Sequence, residues 1–122
     1  MSHIVSIATK VRDPIAVTAA CRRLGLSAPT EGTAQLYSGR VSGLLLNLPG
    51  WQYPTIIDLT TGDVRYDNYG GAWGRQEELN RFLQTYAAEK AKIEARRQGH
   101  FVTEQTLADG SLKLTIQMGG AT

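Results

Sequence analysis

Little in this sequence supports the common routes to chemistry or to a membrane. Its 122 residues hold one cysteine, Cys21, which excludes an internal disulfide and a thiolate metal cluster and fits a reducing compartment. The only histidines are His3 and His100, each at the edge of a predicted strand and too few for a histidine-rich metal site. No metal and no cofactor is expected. The longest apolar run, Gly43-Leu44-Leu45-Leu46, falls far short of the roughly 18–20 residues of a membrane span. Residues 1–6 lack a cationic stretch followed by an apolar core, so neither export signal nor anchor is expected and the cytoplasm is the expected compartment. Charge of one sign is also scarce: 13 Lys+Arg against 11 Asp+Glu leave +2, which disfavours a nucleic-acid binder.

What is present is enough for a folded unit. A hydrophobic share of 42% with 20% charged residues excludes disorder by composition, and the length suits one domain. Residues 1–118 are expected to form a single α+β domain and residues 119–122 to fray. Residues 3–9 are short and β-branched and predict a strand. Asp13-Pro14 then predicts a helix start, with a side-chain cap and a proline at the position that needs no N–H. Val17, Ala20, Cys21 and Leu24 share one face of that helix, and Gly25 stops it. Residues 34–38 and 43–48 predict a hairpin around Ser38-Gly39-Arg40, and residues 55–59 and 64–68 a second around Thr60-Thr61-Gly62-Asp63. Leu79, Phe82, Leu83, Tyr86, Ala87 and Ile93 keep helical spacing from Gln76 to about Gln98, with acids at the start and bases at the end, as the helix dipole favours. Residues 101–107 and 112–118 flank Asp109-Gly110, a strong hairpin signal. The alternation of Leu112, Leu114, Ile116 and Met118 predicts one buried face.

The fold class expected is a two-layer α+β arrangement, a mostly antiparallel sheet with both helices on one face. Strand-helix-hairpin occurs twice in this order, which raises a doubled module similar to the gyrase-inhibitor-like effector-binding domains.

Reactive residues are sparse. Cys21 lies on the apolar stripe and reads as core. Asp63 reads as a turn residue, and Asp58 and Asp67 as solvent-facing or capping. Lys90, Lys92, Arg96 and Arg97 are interleaved with Glu89 and Glu94 and read as a solvated helix face. Two features stand out. The glycine-rich stretch Tyr69-Gly70-Gly71-Ala72-Trp73-Gly74-Arg75 leads into the long helix, where free amides at Gly70, Gly71 and Gly74 with the Arg75 cation suit an anion. Trp51, Tyr53, Tyr66, Tyr69 and Trp73 are five of nine aromatic residues and lie close together in loops and at strand ends. They suit a planar ligand, a partner's hot spot, or a mini-core closing one end of the sheet.

Several segments also resemble a known family: Met1-Ser2-His3-Ile4, Ile7-x-Thr9-x-Val11-Arg12-Asp13, the run from Tyr66-Asp67-Asn68-Tyr69 to Trp73-Gly74, Phe82-Leu83-Gln84-x-Tyr86-Ala87, and Gly99-x-x-Val102-x-Glu104 with Asp109-Gly110-Ser111-x-Lys113-Leu114. Together they resemble the hypothetical chloroplast reading frame thirty-five family over nearly the whole chain. Trp51-Gln52-Tyr53-Pro54, and Gly71-Ala72-Trp73-Gly74 where plastid members tend to carry paired tryptophans, place it with a bacterial subgroup. Members carry a domain of unknown function, so the resemblance implies no catalytic residue and no partner.

The leading expectation is a cytosolic, non-enzymatic module that binds a protein partner or small ligand through residues 51–75. Trp51, Tyr53, Tyr66, Tyr69 and Trp73 supply stacking, and Asn68 and Arg75 polar orientation. The alternatives are a nucleotide- or phosphate-dependent enzyme or regulator using the helix start at residues 70–75, and a structural homo-oligomer built on the long helix and hairpin edges.

Overall fold

Asp13 is extended (φ −100°, ψ 106°) and its carboxylate accepts the amides of Ile15 and Ala16, so helix α1 (Pro14–Arg23) starts where the cap chemistry predicts. The structure, a computed structural model, describes residues 4–119. Expectations for His3 and for residues 120–122 lie outside them. Five strands, β1 (Val5–Ala8), β2 (Thr30–Leu36), β3 (Gly39–Leu46), β4 (Thr55–Asp58) and β5 (Asp63–Tyr66), form one antiparallel sheet in the order β1-β5-β4-β3-β2. The long helix α2 (Gln76–Arg97) comes next, and β6 (Phe101–Thr106) pairs with β7 (Leu112–Gln117) in a separate two-stranded sheet. The class is α+β.

Both helices cover the same sheet face. Val17, Ala20 and Cys21 of α1 and Leu79, Phe82 and Tyr86 of α2 meet Leu44, Leu46, Ile57, Val64 and Tyr66 in one buried cluster. Burial pushes the Cys21 thiol above its ordinary value, in keeping with a core residue. The opposite face holds a smaller cluster of Ala34, Leu36, Val41 and Ile56, against which Ile4, Leu45 and Tyr53 pack. Ile56 and Ile57 therefore point to opposite layers, as adjacent strand residues must. The Tyr86 hydroxyl ties the layers at one end, accepting the amides of Arg12 and Asp13 at 3.2 Å. Lys90 reaches across to Asp13 at 3.0 Å. Burial pushes the Asp13 carboxyl up, but Lys90 and the two cap amides more than offset it and hold it below its usual value.

Several expectations change in detail. The first hairpin pairs Leu36 with Gly39, so its tip is Tyr37-Ser38 rather than Ser38-Gly39-Arg40, and β2 begins at Thr30 rather than Ala34. The early part of β2 is the sheet's outer edge, where exposed residues carry no apolar alternation. The doubled module does not close on itself. β5 already has β1 and β4 as neighbours, so the hairpin after α2 has no edge of β5 to join. It packs instead along α2, with Gln84 donating to the Gly110 carbonyl at 3.2 Å and Lys92 meeting Glu104 at 2.7 Å. Leu112 and Leu114 are partly covered, while Ile116 and Met118 are exposed because the base of the hairpin runs past the last turn of α2. Gly119 is held, its amide donating to His100 Nδ1 at 2.8 Å.

The hairpin is fastened by a closed ring of four charges. The Arg23 guanidinium grips Glu104 with both terminal nitrogens and reaches Glu89 at 3.1 Å, and Lys92 contacts the same two carboxylates. Arg23 first and Lys92 second hold the Glu104 carboxyl down to about 2. A depressed carboxyl stabilises fully above its unfolded value and ceases to do so as pH falls through the folded one. The hairpin should therefore loosen between about pH 4.5 and 2. With side chains 18–32% exposed at the Arg23–Glu104 pair, solvent screening limits the effect to about 1–2 kcal/mol. Urea unfolding against pH should show wild type losing that increment relative to Glu104→Gln across this window, and parallel curves would refute the assignment.

Candidate functional site

The segment from Pro49 to Gly74 brings the sequence-predicted residues to one end of the sheet and then divides them. At the end of β5, Tyr66 points into the helix-side core and is 7% exposed. Trp51 lies edge-on to it, with ring centroids 5.6 Å apart, and packs on the same core. The Trp51 indole donates to the Arg75 carbonyl at 3.0 Å. Gly74 is buried flat beneath that indole, where a Cβ would come within 2.6 Å of its ring carbons. Trp51 and Tyr66 are thus scaffold.

Asn68 is scaffold too. It is 6% exposed; its side-chain amide donates to the Gly74 carbonyl at 3.2 Å, and its backbone carbonyl accepts the amides of Gly71 and Trp73. The Trp73 carbonyl accepts the Gln52 amide at 2.8 Å. These bonds close the loop on itself and pin it to the β3–β4 connection. Two of the three amides of the expected anion cradle are engaged within the loop. The Gly71 amide is engaged by Asn68, the Gly74 amide faces the Gly71 carbonyl, and Glu77 and Glu78 fill the first turn of α2. The Arg75 side chain extends into solvent and pairs with Glu77. Gly70 and Gly71 serve the turn, with φ of 60° and 105°.

The remaining aromatics form a second group on the other side. Trp73 is its hub, with Tyr69, Tyr37 and Tyr53 at centroid distances of 4.7, 5.4 and 5.6 Å. Tyr53 connects the group to the Ile56 face of the sheet. Tyr37 and Tyr69 are 64% and 45% exposed, so about half of this cluster is surface. Tyr37, at the tip of the first hairpin, is the member missed by reading the sequence, because it lies outside the 51–75 stretch and only the hairpin register brings it in.

Two further observations belong to this loop. Asp67, expected to be solvent-facing or capping, is 1% exposed. One carboxyl oxygen caps the Tyr69 amide at 3.3 Å, and the other, Oδ2, is buried with no partner. A buried polar oxygen left unpaired costs about 1–3 kcal/mol. Among the described residues Tyr69 alone, apart from glycines, has a positive φ, 49°. A bulky side chain there costs on the order of 1–3 kcal/mol, and such strain clusters at functional sites.

Elsewhere, a concavity of about 580 Å³ is lined by Lys10, Arg12, Asp13, Tyr86, Lys90 and Arg97. Lys90 and Arg97 are already committed to Asp13 and Glu94, so it reads as part of the helix anchorage. Among the described residues no group of three or more His, Cys, Asp or Glu is placed to hold a metal ion, and no helix is long and apolar enough to cross a membrane. A scan against models of protein families, a search of curated proteins and a search of solved structures each find no match to this chain.

The seating of Gly74 under Trp51 gives a direct test of the scaffold. Gly74→Ala should displace the indole, lower stability by about 1–3 kcal/mol as overpacking does, and alter tryptophan emission. Unchanged urea midpoint and emission would show that the close approach does not organise the loop.

Proposed function

We propose that the protein is a non-enzymatic binding module, and that its recognition surface is the Trp73 group, Tyr37, Tyr53, Tyr69 and Trp73, at the end of the sheet. The observation that carries this reading is the convergence of three tyrosine rings on one tryptophan with two of the rings exposed. Rings with polar tips offer large contact area with few rotatable bonds, and Trp and Tyr dominate the energetics of interfaces. Such a group on a pinned loop is pre-organised for a protein partner or a small planar ligand. The residues 51–75 named from the sequence narrow accordingly: Trp51, Tyr66 and Asn68 hold the loop, and Tyr53, Tyr69 and Trp73 with the added Tyr37 meet the partner. The likeness to the chloroplast reading frame thirty-five family and a cytosolic setting form part of the same proposal. One of the several runs that carry that likeness, Tyr66 to Gly74, is the run that builds this loop.

Trp73→Ala and Tyr69→Ala should leave a folded protein, because both rings lie outside the main helix-side core. They should reduce recovery of co-purifying partners or metabolites at least tenfold, which corresponds to about 1.4 kcal/mol. Affinity purification followed by mass spectrometry checks this, with circular dichroism as the control for folding. Unchanged recovery from folded variants would overturn the proposal.

A further inference from the structure

Three features that folding alone disfavours meet within a few residues of one another. Asp67 buries a carboxyl oxygen with no partner, Tyr69 holds a strained backbone at φ 49°, and the Tyr37 and Tyr69 rings stand exposed beside Trp73. Buried unpaired oxygens, strained backbone and exposed aromatic clusters each call for an explanation in a native structure.

The register places these features together. Tyr66 belongs to the helix-side core, so the next residue, Asp67, turns to the opposite face, where Arg65 lies opposite Ile56. Continued past their last pairs, the β1–β5 ladder brings Ile4 opposite Asp67 after one step and the β4–β5 ladder brings Pro54 there after two. Ile4 and Tyr53 both pack on the Ile56 cluster, and Tyr53 touches Trp73. The unpaired oxygen and the aromatic group therefore share one face of the sheet.

We propose, building on the aromatic docking reading above, that this face receives an arginine side chain of a polypeptide partner. The guanidinium stacks on the exposed tyrosine rings and donates an N–H to Asp67 Oδ2. An unpaired carboxyl oxygen lacks a donor, and aromatic faces attract cations through the ring quadrupole, so the missing group is a cation that carries N–H. A guanidinium is planar, stacks on rings and is weakly hydrated, whereas an ammonium holds its water more tightly and a quaternary ammonium has no N–H to give. Tyr69 belongs to both halves of this site, its ring on Trp73 and its backbone on Asp67. Its amide already holds the other oxygen of the same carboxylate, and its ring is nearly half exposed.

A polypeptide source follows from the neighbouring strand. Tyr37 directly follows β2, which ends the sheet, and among the described residues no strand pairs with its outer side. Its free N–H and C=O groups offer an extended peptide a row of main-chain bonds, and Tyr37 and Trp73 stand where that row reaches the aromatic group.

The test is an amide-resolved NMR titration of the full chain with the blocked pentapeptide Thr-Val-Arg-Val-Thr, its twin with norleucine in place of arginine, and N-acetyl-arginine methylamide. The arginine peptide should shift the Tyr37, Tyr69 and β2 amides and the Trp73 indole, and bind at least tenfold tighter than either other ligand. D67N should bring the arginine peptide to the norleucine level. Tyr37→Leu, which removes an exposed ring, should weaken it several-fold and serves as the test if D67N does not fold. Equal binding of arginine and norleucine peptides, or full affinity in both variants, would overturn the guanidinium assignment. Equal binding of the free arginine amide would overturn the polypeptide source. If neither peptide moves Trp73 while partner recovery still depends on Trp73, the arginine inference fails and the docking reading survives. Loss of that dependence as well removes both.

Discussion

Side chains leave a strand on alternate faces, and at the end of β5 that constraint acts on Val64, Arg65 and Tyr66 in turn. Val64 and Tyr66 go to the helices and Arg65, opposite Ile56, to the other face. The register cannot slip by one residue, because Val64 is fully buried opposite Ile57 and a shift would put Arg65 into the same core. With Tyr66 fixed, Trp51 packs edge-on against it, and Gly74 must lie flat against Trp51. The chain from Asn68 to Gly74 is then held at both ends, and Trp73 emerges on the face away from the helices. The division of one aromatic-rich segment into a scaffold half and a surface half is thus a consequence of strand geometry.

Helix α2 has to satisfy two layers at once. Leu79, Phe82 and Tyr86 face the sheet, while Gln84 and Lys92 reach the β6–β7 hairpin and the buried Ala88 lies between them in sequence. A small residue there lets a strand approach the helix closely. Little apolar area remains to fasten the hairpin, and a two-stranded sheet is marginal alone. The Arg23–Glu104 pair and its neighbours supply orientation where apolar burial is thin. That α1 contributes Arg23 ties the hairpin to both helices.

Local chemistry was legible wherever a residue's own backbone preference decides the outcome. Asp13-Pro14 began a helix, Gly99 with φ 78° ended one, and Asp109-Gly110 turned a hairpin. The early part of β2 was not legible, because an exposed edge strand needs no apolar alternation and its Thr30 to Thr33 stretch shows none. Of the two readings of Asp67, capping holds and solvent-facing does not, for a related reason. An aspartate beside a turn is usually wet, whereas this one directly follows the central strand β5, which has a neighbour on each side, and is buried there. Tyr37 joined the aromatic group through the Leu36–Gly39 pairing, a contact between residues distant from Trp73 in the chain.

The loop that carries Tyr69 remains strained because its surroundings over-determine it. Asp67 caps the Tyr69 amide, the Asn68 carbonyl takes the amides of Gly71 and Trp73, and Gln52 donates its amide to the Trp73 carbonyl. Relaxing φ at Tyr69 would break several of these bonds together, each worth about 0.5–1.5 kcal/mol net, against strain on the order of 1–3 kcal/mol at one residue. The bonds outweigh the strain, so the left-handed turn stays and the Tyr69 ring remains beside Trp73 instead of folding back to cover it. Exposed rings on a loop this constrained lose little conformational freedom on contact with a partner, so a surface of modest area retains most of its contact energy as affinity.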